Sequence, residues 1–133
     1  MHCDRFFSPL RRRGLLAWML TGLLLLAPAA GRAQAAPATV AMRADAVAAD
    51  TWFVQGQAAM GSAANQNFIS NAAFVVTPDG VLVVDALGSP PLADRLLALI
   101  RERTKAPVRY VVVTHCHADH LYGLQVFKDD MSL

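Results

Sequence analysis

Three imidazoles and a carboxylate lie within six residues of one another in the stretch Thr114-His115-Cys116-His117-Ala118-Asp119-His120. Imidazole nitrogen and carboxylate oxygen are both ligands for Zn²⁺ and related first-row ions. A chance cluster on a surface loop is the bland alternative, but the only other histidine is His2, far upstream. The stretch directly follows Val108-Arg109-Tyr110-Val111-Val112-Val113, a β-branched run that reads as a buried strand. Side chains alternate along a strand, so His115 and His117 can project together as the chain leaves the sheet. Asp119 and His120 follow closely enough to hold a second ion. Cys116 sits between the first two ligands, where alternation turns its sulfur away. It is read either as a second-site ligand or, preferably, as a tolerated small residue.

The elements that must position this cluster are legible upstream of it. Thr51-Trp52-Phe53-Val54-Gln55 reads as a first strand, residues 56–67 as a loop rich in small polar residues, and residues 68–77 as a second strand. Pro78-Asp79-Gly80 has turn chemistry, with proline setting φ and glycine permitting positive φ. Val81-Leu82-Val83-Val84-Asp85 then completes a hairpin. Ser89-Pro90-Pro91 opens a helix, with serine as N-cap and proline in the first turn. Leu92, Leu96, Leu97, Leu99 and Ile100 give that helix an apolar face. Arg101, Arg103 and Lys105 at its end complement the helix dipole. Pro107 stops it, and the strand leading to the cluster follows. Residues 121–128 form a short last helix with Tyr122 and Phe127 in its core.

The chain has 133 residues, and its slight excess of positive charge belongs to the first 35. There Arg5, Arg11, Arg12, Arg13 and Arg32 face Asp4 alone, whereas seven basic residues face nine acidic ones afterwards. No basic stripe remains to favour a nucleic acid. Arg11-Arg12-Arg13, an interrupted leucine-rich core and Ala33-Gln34-Ala35 read as a cleavable signal peptide over residues 1–35. Both the general and the twin-arginine export routes fit it, and the expected location is periplasmic or secreted. The apolar core is too short and too interrupted for a comfortable membrane span, and a retained N-terminal anchor is the alternative reading. Cys3 would leave with the leader, so Cys116 would be the only thiol of the mature chain. Residues 36–50, rich in alanine and without a clear period, read as a flexible lead-in to a domain over residues 51–133.

The H-x-H-x-D-H spacing, the strand and helix before it and the strand ending in Asp85 resemble the metallo-β-lactamase superfamily over roughly Trp52 to Lys128. The resemblance implies an α/β (α+β) fold, the N-terminal half of an αββα sandwich with a metal site at one edge. It implies that His115 and His117 bind one zinc ion, that Asp119 and His120 bind a second, and that other first-row metals could substitute. The implied chemistry is hydrolysis, in which the ions lower the pKa of a shared water and present hydroxide to a carbonyl or ester-type small molecule. Asp119 would aim that nucleophile. Asp85 ends its strand where a carboxylate could orient a metal-binding histidine, and relatives carry an aspartate there; otherwise it caps the strand.

The remainder of the implied sandwich would supply further ligands, and no histidine follows His120. His115 and His117 give one ion two donors, where a catalytic zinc typically has three from protein. The sequence therefore reads as the N-terminal portion of an exported zinc hydrolase, inactive by itself. A non-catalytic metal-binding remnant is the alternative, and an obligate dimer that completes the sandwich is a third reading. A half-sandwich would also leave one apolar face of its sheet open.

Overall fold

In the computed structural model, residues 36–128 and Met131 are described. The expected leader, residues 1–35, lies outside them, as do Asp129, Asp130, Ser132 and Leu133. Five strands, β1 (Asp45–Ala48), β2 (Thr51–Val54), β3 (Ala72–Thr77), β4 (Gly80–Val84) and β5 (Val108–Val112), form one sheet in the order β1-β2-β3-β4-β5. Neighbours pair antiparallel as far as β4, and β4 and β5 run parallel. Helix α1 (Pro90–Arg101) makes the crossover that a parallel pair requires, and α2 (Ala118–Leu121) and α3 (Leu124–Phe127) follow β5. The α/β class expected from sequence is the one observed.

One face of the sheet carries the core. The register aligns Trp52, Phe74, Val83 and Val111 in a row across four strands, with Trp52 and Phe74 stacked 5.1 Å apart. Phe74, Val81 and Val83 are fully buried together with Leu92, Leu96 and Ile100 of α1 and Phe127 of α3. Leu92, Leu96 and Ile100 recur every four residues, so a single stripe of α1 contributes them. Leu97, assigned to that apolar face from sequence, is only partly buried at its margin. The opposite face of the sheet carries Phe53, Val75, Leu82, Val84, Tyr110 and Val112, and none of these is buried. Among the described residues that face is only partly covered.

The β3–β4 hairpin turns at Pro78-Asp79, with Thr77 paired to Gly80. Gly80 has φ of +133°, and a Cβ there would lie 2.5 Å from the Arg109 side chain, so glycine is required twice over. Ser89 occupies the N-cap of α1 with two prolines behind it, but its side chain makes no capping bond. At the other end, Arg103 and Lys105 donate to the carbonyls of Leu99 and Arg101, as their charge at a helix C-terminus favours.

Four sequence expectations are corrected. The segment 36–50 is not an unstructured lead-in: Met42 and Ala44 are buried, and Asp45–Ala48 pairs with β2 around a turn at Ala49-Asp50. Strand pairing uses backbone groups, which an alanine-rich segment supplies without any side-chain signal. The second strand begins at Ala72 rather than at residue 68, because residues 68–71 are held by loop contacts, with Phe68 itself buried. Strand β5 is an edge strand and is largely exposed. An irregularity sets Val81 opposite Val108 but Val83 opposite Val111, three residues on, so those two valines face the core while Tyr110 and Val112 do not. The single helix over residues 121–128 is two short turns, with Phe127 buried as expected and Tyr122 61% exposed.

Candidate metal centre

The cluster emerges where the parallel strands β4 and β5 end side by side, the edge at which open α/β sheets commonly place their sites. The chain after β4 and the chain after β5 are laced together. Asp85 N–H donates to Val112 O, Ala86 N–H to His120 O, and Gly123 N–H to Leu87 O. Gly123 lies so close that a Cβ on it would sit 1.9 Å from Ala86 O, which explains a glycine at that position. Asp85 and Leu87 both have positive φ, +61° and +63°, so the polypeptide bends sharply between β4 and α1. That bend turns the Asp85 side chain under the cluster.

Asp85 is 5% exposed, and its side chain is hydrogen-bonded to the cluster segment. Its Oδ1 accepts from Thr114 N–H at 2.8 Å. Its Oδ2 lies 2.8 Å from Thr114 Oγ1 and 2.7 Å from His120 Nδ1. Burial alone would raise the carboxyl pKa, but the hydrogen bonds from Thr114 and His120 and the charge on His120 outweigh it and hold Asp85 below the usual carboxylate range. The carboxylate is ionised at neutral pH, with three donors around it.

The four residues singled out from sequence are brought together. His115 Nε2 and His117 Nδ1 are 3.2 Å apart, with the two rings edge to face. The rings of His115 and His120 are 4.0 Å apart between centroids. His120 Nε2 and Asp119 Oδ2 are 3.5 Å apart. Asp119 lies in the first turn of α2, where its negative charge suits the helix dipole. Its backbone is fixed from two sides: Ser70 Oγ–H donates to Asp119 O, and Gly88 permits a close approach to Asp119 Cα. Ser70 belongs to a loop held by the buried Asn65, whose Oδ1 accepts from the N–H groups of Ser62 and Asn67. Cys116 is exposed. Among the described residues, no three His, Cys, Asp or Glu side chains converge as a group that would hold a metal ion. The donors are arranged as two pairs.

Two members of this assembly, Thr114 and Ser70, carried no signal in the sequence reading. Each acts through one hydroxyl on a residue 29 or 49 positions away, and no local pattern reports such a contact.

A mixed sheet with a helical crossover brings imidazoles and a carboxylate to the ends of adjacent parallel strands, an α/β framework with a candidate metal centre at its edge. Residues 66–130 match the family model of the metallo-beta-lactamase superfamily. Among characterised proteins, the chain is 32% identical over 56 residues to the linear primary-alkylsulfatase of Pseudomonas sp. (strain ATCC 19151), covering 42% of this chain and 11% of that protein. It is 30% identical over 60 residues to the metallo-beta-lactamase type 2 of Bacillus cereus, covering 45% of this chain and 23% of that one. The crystal structure of the metallo-beta-lactamase FIM-1 from Pseudomonas aeruginosa, in its mono-zinc form, superposes with a TM-score of 0.54 at 21% identity. That match covers 69% of this chain and 40% of FIM-1. Over residues 66–130 the chain therefore carries a metallo-β-lactamase superfamily segment, and FIM-1 shares its fold. The chain spans well under half the length of each of these relatives.

Proposed function

We propose that the chain carries the metal-binding part of an exported, zinc-dependent hydrolase, with His115 and His117 holding one ion and Asp119 and His120 a second. The observation that carries this reading is the spacing within each pair. Two donors bound to one tetrahedral zinc at roughly 2.0–2.1 Å stand about 3.3 Å apart. The His115–His117 nitrogens are separated by 3.2 Å and the His120–Asp119 donor atoms by 3.5 Å. The donor chemistry fits zinc, since imidazole and carboxylate are its usual protein ligands beside thiolate. When bound, zinc supplies an acidified water and polarises the bond to be cleaved.

This chain's own residues would do the rest. Asp119 would accept a hydrogen bond from the attacking water and aim it, helped by the Ser70 contact that fixes its backbone. Asp85 would orient His120 through the Nδ1 contact. The substrate would be a small molecule with a carbonyl or ester-type bond. The two characterised relatives are named for a lactam and for an alkyl sulfate, which supports the reaction class and leaves the substrate open. Export rests on the leader read in residues 1–35. No helix among the described residues is long and apolar enough to cross a membrane.

A second reading, a metal-binding chain without catalysis, draws support from the absence of a three-residue donor group among the described residues. Metal analysis after zinc loading separates the two. Two tightly held ions per chain, with turnover of a chromogenic lactam, thioester or sulfate ester, would support the enzyme. Loose zinc that is lost from His115→Ala and His117→Ala, without turnover, would support the second reading. Zinc uptake unaffected by either substitution would exclude both.

A further inference from the structure

We propose that the Thr114 hydroxyl fixes the proton on His115 while its acceptor Asp85 fixes the proton on His120, so that both rings, when neutral, present an unprotonated Nε2 before any metal arrives. The inference rests on the metal-centre reading for its purpose, while its proof lies in the metal-free chain. Thr114 would be a positioning residue, acting through the ring it holds.

The argument is a count of protons. A carboxylate accepts hydrogen bonds and donates none. Both contacts to Asp85 Oδ2, from Thr114 Oγ1 at 2.8 Å and from His120 Nδ1 at 2.7 Å, must therefore be donated to it. In the neutral ring this places the His120 proton on Nδ1 and leaves its Nε2, which faces Asp119 Oδ2, with a free lone pair. A hydroxyl has one proton, and Thr114 has given its proton to Asp85. Towards His115 Nδ1, 3.0 Å away, Thr114 Oγ1 can only accept. His115 must then carry its proton on Nδ1 as well, leaving Nε2 unprotonated. One buried carboxylate and one hydroxyl set two tautomers in the same sense.

His117 behaves differently. Its Nδ1 lies 3.2 Å from His115 Nε2, which has no proton to give, so in the metal-free chain His117 donates its own Nδ1–H. That same Nδ1 is the atom placed to share an ion with His115 Nε2. On loading, His117 alone has to change tautomer: Nδ1 gives its proton to water and Nε2 takes one from water, with no net release. Its side chain is exposed, so water can carry out both transfers. His115 and His120 are preset, and His117 is the ring that switches.

The test is long-range ¹H–¹⁵N correlation of the imidazoles in the ¹⁵N-labelled full chain with the rings neutral. Spectra are recorded first with chelator and then with Zn²⁺, for the wild type, Thr114→Val and Thr114→Ser. Valine keeps the backbone N–H bond to Asp85 and the side-chain shape but removes the hydroxyl, and serine restores it. In the wild type and in Thr114→Ser, His115 and His120 are expected as Nδ1–H tautomers with and without zinc, and His117 as Nδ1–H that becomes Nε2–H on loading. In Thr114→Val, His115 alone should relax to the mixture of an unconstrained ring, and zinc affinity should fall about tenfold, the low end for loss of a group supporting a metal ligand. An Nε2–H form of His115 in the wild type, or an unchanged His115 in Thr114→Val, overturns the proposal. Tautomers as stated, with no response of His117 to zinc, would support the proton placement and overturn the metal reading on its own.

Discussion

Replacing Asp85 by asparagine removes one charge and almost no volume, so it isolates what the carboxylate does. Three donors point at Asp85: Thr114 N–H, Thr114 Oγ1 and His120 Nδ1. An amide offers one acceptor oxygen and an NH₂ group, so one orientation sets the NH₂ against Thr114 N–H and the other sets it against Thr114 Oγ1 and His120 Nδ1. Neither orientation satisfies all three. A hydrogen bond to a charged acceptor contributes about 1.5–3 kcal/mol net. With Thr114 near solvent, the two bonds at Oδ2 are taken at the low end, which gives an expected loss of about 3 kcal/mol in urea unfolding at neutral pH. The pH dependence has a definite sign. Hydrogen bonding holds Asp85 below its unfolded value of about 3.9, so its contribution is complete above that pH and is lost as pH falls through the lower, folded value. The gap between wild type and Asp85→Asn should therefore persist at neutral pH and close in acid below about pH 4. A loss under about 1 kcal/mol, the worth of one ordinary hydrogen bond, or a gap that is constant down to acid pH, would refute the assignment of Asp85 as the charged acceptor for this segment.

Three further outcomes are expected. Zinc at a hundred times its dissociation constant should stabilise the chain by about 2.7 kcal/mol, read as a raised thermal midpoint that EDTA reverses; an unmoved midpoint would count against a native-state metal centre. Gly123→Ala drives a Cβ to 1.9 Å from Ala86 O and 2.6 Å from Ala93 Cβ, so the melting curve should show a loss of about 3 kcal/mol or more. Ser70→Ala removes the hydroxyl that grips Asp119 O, and denaturant titration should show a loss of about 1 kcal/mol. If the second ion is held through Asp119, zinc stoichiometry measured on Ser70→Ala should fall for that ion while the first is retained.

What could be read from sequence was whatever is encoded locally. The cluster from His115 to His120, the Pro78-Asp79 turn and the α1 stripe of Leu92, Leu96 and Ile100 each declare themselves within a window of a few residues. The first strand was missed because Ala46 and Ala48 pair through backbone atoms and bury little. Strand β5 was misplaced in the interior because β-branched composition reports extended backbone, whereas its place in the sheet depends on which strand lies beside it. Tyr122 was assigned inward on helical spacing, yet the helix breaks at Gly123, whose amide turns away to Leu87 O. The Asp85–Thr114–His120 contacts join positions 29 and 35 residues apart and arise only when β4 and β5 are laid side by side. A sequence motif names candidate ligands, and the groups that pack behind them become visible only in the folded chain.

The bend after β4 has a bearing on how such a protein can change over generations. Asp85 and Leu87 both adopt backbone angles that favour glycine, at a cost of order 1–3 kcal/mol for each non-glycine residue. Leu87 fills the core, fully buried, and so offsets part of that cost. A drift from Asp85 to glycine would relax the backbone and abolish the acceptor under the cluster in one step. That relief does not exceed the roughly 3 kcal/mol of hydrogen bonding lost with the carboxylate, so folding and the site both retain Asp85. In lineages under no selection for the site, the exposed His115 and His117 would be expected to vary first, with Asp85 held in place by its part in the fold.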